Sequence, residues 1–186
     1  MYIPIDLSKY YNHIVYKNEV IERDIYLNKK TIYGIPHVNN IHVIDEKLDD
    51  RNVLGMKFQF ALKNNTFDNI MCDGQCVLVD INNIRRISFL GFSEMGTVCD
   101  DVKIHTEGGM VITIPLILKT FHSDSFKGID DEKKNLDCKL AFYMNGDDGQ
   151  KHGAYFWSIN LSKSYNVKLI ELPVNCSMHL FAITLN

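Results

Sequence analysis

The chain has 186 residues, 46% hydrophobic and 23% charged, which suffices to bury a full core and fits neither a disordered segment nor a membrane protein. Its 20 basic and 23 acidic side chains leave a formal charge of -3, so no electrostatic footprint for a phosphate backbone or an anionic bilayer is present, and nucleic acid and membrane are excluded as expected partners. The length predicts one domain over residues 1–186.

At the start, Met1 to Ser8 lack the basic and apolar regions of a secretory signal, and no later stretch approaches the roughly 20 apolar residues of a membrane-spanning helix. The five cysteines (Cys72, Cys76, Cys99, Cys138 and Cys176) are odd in number, and four lie in apolar, strand-like runs. They read as reduced core residues, and the expected location is cytoplasmic.

Further along, apolar residues recur at every second position, the period of a strand with one buried face. This pattern predicts strands at 25–27, 41–44, 56–62, 77–81, 84–89, 102–105, 110–114, 139–144, 155–161, 167–172 and 178–185. Turn residues separate them. Asp73-Gly74, Asn82-Asn83, Gly108-Gly109, the run 145–149 and Pro173-Val174-Asn175 all suit bends or positive φ. The polar stretch 123–137 reads as a solvated loop, and helical periodicity is almost absent. Many short strands with tight turns predict an all-β fold, a two-sheet sandwich of jelly-roll type.

Catalytic signatures are missing: there is no Gly-x-Ser-x-Gly elbow, no phosphate-cradling glycine loop and no His-Glu-x-x-His pair. Cys72 and Cys76 have no second Cys or His pair nearby to complete a zinc site. The seven histidines are scattered, and His179, inside Met178-His179-Leu180-Phe181, reads as a hydrogen-bonded structural residue. The carboxylate pairs at 49–50, 100–101, 130–131 and 147–148 are adjacent in sequence, so on strands they point to opposite faces. No catalytic residue is assigned, and a metal site stays open.

The segment 145–157 has the character of a sugar site, since flat rings stack on sugar C–H faces while amides and carboxylates hold hydroxyls. The candidate ligand-binding residues are Asn145, Asp147, His152, Tyr155 and Trp157. Tyr155, Trp157 and Ile159 alternate as one strand face. That spacing favours Trp157, the single tryptophan, as core rather than ligand platform, and leaves His152 and Tyr155 as the better-exposed pair near the rim.

Several stretches, in order, resemble the galactose-binding-like β-sandwich modules that accompany bacterial glycoside hydrolases. Ile5-Asp6-Leu7-Ser8-Lys9-Tyr10-Tyr11-Asn12 looks like their entry, and Asn69 through Asp73-Gly74-Gln75-Cys76-Val77 resembles their Asn…Gly-Gln strand pair. Ile87-Ser88-Phe89-Leu90-Gly91-Phe92-Ser93 is similar to a following turn. Leu172-Pro173-Val174-Asn175 and the closing Phe181-Ala182-Ile183-Thr184-Leu185 look like their final turn and strand. The resemblance implies a jelly-roll carbohydrate-binding accessory, without a cofactor but sometimes with a structural calcium ion. The matched residues are turn and core positions, so it carries over no ligand site. The expected function is non-catalytic carbohydrate binding. The alternatives are a structural or protein-interaction domain, with 123–137 as a contact loop, or a glycoside hydrolase accessory with its own activity.

Overall fold

The structure, a computed structural model, describes residues 1–13, 32–33, 41–49, 52–59, 67–121, 138–146 and 151–186. The predicted strand at 25–27 and the loop at 123–137 lie outside the described residues. Eleven strands are present among the described residues: β1 (Ile3–Pro4), β2 (Ile32–Tyr33), β3 (Ile41–Asp49), β4 (Asn52–Gln59), β5 (Ile70–Asp73), β6 (Cys76–Ser93), β7 (Val98–Thr106), β8 (Val111–Leu118), β9 (Lys139–Gly146), β10 (Lys151–Glu171) and β11 (Val174–Leu185). No helix occurs among those residues, so none is long and apolar enough to cross a membrane. The chain is all-β.

The main sheet runs β1-β11-β6-β10-β7-β8, with β5 on β11 and β9 on β10, and every ladder is antiparallel. β3 and β4 form a separate hairpin. The predicted turn at Gly108-Gly109 joins β7 to β8: Gly109 has φ 77°, and the Thr106 N–H donates to the Met110 carbonyl at 2.9 Å. Gly74, at φ 73°, turns β5 into β6.

Two strands differ from expectation. Residues 77–81 and 84–89 belong to one continuous β6, and 155–161 and 167–172, as far as Glu171, to one continuous β10. Asn82-Asn83 is therefore a bulge inside a strand, and not a turn. Between Ile84–Tyr165 and Ile81–Val167 two residues of β6, Asn82 and Asn83, oppose Asn166 alone, and between Ile81–Val167 and Leu78–Leu169 Val79 and Asp80 oppose Lys168 alone. The extra residues adopt the left-handed region, Asp80 at φ 51° and Asn83 at φ 61°. Asp and Asn tolerate that conformation better than most side chains, which is why the sequence signals of a turn and of a bulge coincide.

The bulges divide the sheet into two zones. In the first, β6 from 76 to 86 and β7 alternate between buried and exposed, as one-sided strands do. In the second, residues 87–93 of β6, 152–157 of β10 and 178–185 of β11 are buried without a break. These neighbouring strands are covered on both faces, and Phe89, Phe92, Phe156 and Phe181 fill the core. Each such ring contributes about 1.5–3 kcal/mol by leaving water. Of the cysteines, Cys72 and Cys138 are buried, whereas Cys76, Cys99 and Cys176 are exposed, contrary to their reading as core residues. Cys76 and Cys99 lie in the one-sided zone and Cys176 near the start of β11, where alternate positions face solvent.

Candidate functional site

Of the expected sugar-binding residues, His152, Tyr155 and Trp157 are buried. His152 is fully buried, its ring stacked on Phe121 with centroids 4.2 Å apart. Tyr155 is buried and folds back over Gly153, where an added Cβ would lie 2.5 Å from the phenol oxygen. These two were expected at the rim. They are in the core because β10 is covered on both faces here, so alternation no longer distinguishes inside from outside. Trp157 is core, with its indole Nε1–H donating to the Pro115 carbonyl at 2.8 Å. Asn145 sits on β9 in register with Lys151 of β10 and Tyr33 of β2. Asp147 lies outside the described residues.

A surface cleft of about 440 Å³ instead opens in the one-sided zone, between the β7–β8 turn and a bulge of β10. Asn160 pairs with Arg86 and Tyr165 with Ile84, so four residues of β10, 161–164, oppose Arg85 alone. The bulged segment Leu161-Ser162-Lys163-Ser164 is mostly polar, and Ser162 and Lys163 in it are exposed. From this bulge Lys163, Ser164 and Tyr165 line one side of the cleft. Thr106, Glu107 and Gly108 form the other.

Asn166 ties the walls together. Its own carbonyl accepts from the Glu107 N–H at 2.9 Å, its side-chain Nδ2 donates to Glu107 Oε2 at 2.8 Å, and its Oδ1 accepts from the Asn83 N–H at 3.2 Å. Lys168 lies against Asp80 and, at 3.3 Å, against Glu107. The hydrogen bond from Asn166, then those from Lys168, hold the Glu107 carboxyl below the usual carboxylate range, so it stays ionised. Tyr165 is half-buried, with its hydroxyl 3.2 Å from Ser162 Oγ. The Lys163 ammonium stands 5.4 Å from the centre of its ring, a cation–π placement.

The segment was legible in part, since Ser162-Lys163-Ser164-Tyr165-Asn166 breaks the alternation with a polar run that contains an aromatic. What sequence could not show is that Glu107, nearly sixty residues earlier, faces it.

A second concentration of polar side chains is closed. His179 is fully buried on Phe92, with rings stacked 2° from parallel at 4.8 Å, and its Nδ1 lies 2.9 Å from Asn69 Oδ1. Its Nε2 is 3.3 Å from Glu94 Oε1. His13 meets the same ring edge-on at 4.7 Å. Asn69 also donates to Asp68 at 2.7 Å, while its backbone bridges that of His13. This network clasps the N-terminal segment against β5 and β11, the structural role expected of His179. Among the described residues no three His, Cys, Asp or Glu side chains are placed to hold a metal ion, and no calcium donor set is assigned. No protein-family model matches the chain, and no curated protein does.

Proposed function

We propose that the chain is a non-catalytic carbohydrate-binding protein, one galactose-binding-like domain of jelly-roll sandwich type over 1–186, with its sugar site at the Tyr165 cleft. One observation carries this reading. A half-exposed aromatic ring lies beside an ionised carboxylate, a hydroxyl and an ammonium in a cleft whose volume is within the usual range for small ligands. The ring offers stacking area for sugar C–H groups, and Glu107 and Ser164 offer hydrogen bonds for hydroxyls.

The carboxylate inventory favours binding over hydrolysis. Glycosidases set two carboxylates across the scissile bond, one of them kept protonated. Among the residues that line this cleft Glu107 is the single carboxylate, and its neighbours hold it ionised. A glycan array probed with the native chain and with Tyr165→Ala tests the proposal. Saccharide binding by the native chain that is lost in a folded Tyr165→Ala supports it. No binding, or equal binding by both chains, overturns it.

A further inference from the structure

We infer that the Tyr165 cleft selects acidic sugars, holding a uronate carboxylate on Lys163; this rests on the carbohydrate reading above. The inference comes from which charges in the cleft are already paired. Lys168 lies between Asp80 and Glu107, so two carboxylates share its ammonium. Asn166 has committed its amide, one side to Glu107 and the other to the Asn83 backbone. Lys163 is exposed and has no carboxylate partner among the described residues; its ammonium stands over the Tyr165 ring.

An ammonium over a ring face is positioned without being neutralised, because the ring supplies a quadrupole and no counter-charge. The cleft therefore has one polarity on each wall. Glu107 accepts hydroxyl hydrogens, while Lys163, over the Tyr165 ring in the same cleft, donates to an anion. A neutral hexose satisfies the first wall and leaves the ammonium to water. A hexuronate satisfies both, since its C5 carboxylate and its C2 and C3 hydroxyls lie at opposite ends of one pyranose chair. The carboxylate–ammonium hydrogen bond is charge-assisted and stronger than a neutral one.

The experiment is titration of the full chain with hexuronate oligosaccharides and with their carboxyl-reduced counterparts, which keep every ring hydroxyl and carry a neutral hydroxymethyl group in place of the carboxylate. The native chain is expected to bind the acidic form about ten-fold more tightly at low ionic strength, and the preference is expected to shrink as salt screens the exposed pair. Lys163→Met, which keeps the aliphatic stem, is expected to abolish the preference by bringing the affinity for the acidic form down to that for the reduced form. Equal affinity for the acidic and reduced forms overturns this inference while leaving carbohydrate binding intact, and so does a preference that survives in Lys163→Met. Binding of neither form overturns both.

Discussion

The clasp around His13 makes stability depend on pH in a direction the structure fixes. Burial, and after it the charge of His179, lowers the His13 imidazole from 6.5 to about 4, with Glu94 and Asn69 opposing. An unfolded chain thus takes up a proton near 6.5 that the folded chain resists until about 4. The unfolded state binds more protons between those values, so the contribution of His13 is fully present above 6.5 and is lost as pH falls toward 4. One pKa unit is worth about 1.4 kcal/mol, and after a discount for the part of the ring that faces solvent the loss is on the order of 2 kcal/mol. Urea unfolding at pH 7.5 and pH 4.5, for the native chain and for His13→Gln, measures it together with its coupling to His179 and Glu94, since the difference between the two pH dependences removes the titrating groups that do not interact with residue 13. The native chain is expected to lose on the order of 2 kcal/mol more than the variant. Equal losses, or an imidazole signal for residue 13 that titrates near 6.5 in the folded protein, would refute the reasoning.

Three further outcomes follow from the packing. Trp157→Ala removes a buried ring and an indole hydrogen bond, and chemical unfolding is expected to show a loss of roughly 3–5 kcal/mol, whereas Tyr165→Ala, at a half-exposed position, is expected to cost less than about half as much. Gly91→Ala would set a Cβ 2.0 Å from the His179 carbonyl oxygen, where β11 bulges against β6, and a melting experiment is expected to show destabilisation of about 1–3 kcal/mol; an unchanged melting temperature would mean the strands separate freely there. In native protein a thiol reagent is expected to label Cys76, Cys99 and Cys176 quickly. Cys72 and Cys138 should react only on unfolding, because burial raises both thiols, Cys138 to about 11, and removes access; fast mass-spectrometric labelling of either would contradict the buried assignment.

Alternation alone determined that this chain is all-β, and glycine and asparagine marked where the backbone departs from a straight strand. Local sterics decide both, so both are written locally: Gly109 turns the β7–β8 hairpin as expected, and Asn83 is a positive-φ residue, though within a bulge and not at a turn. The sequence also indicated that Trp157 packs inward and that His179 is structural.

Which strands are covered on both faces was decided only by tertiary structure. His152 and Tyr155 have the composition of a ligand rim, but β10 lies between β6 and β9 there, and both side chains enter the core. Burial depends on what the rest of the chain lays over a strand, a sum over distant residues that no local window contains. The candidate site has the same origin. Lys163 and Tyr165 stand out locally as a polar break with an aromatic, yet they form a cleft only because β10 pairs with β7 and brings Glu107 opposite Asn166. Strand pairing across nearly sixty residues sets that distance, and side-chain period carries no information about which strands become neighbours.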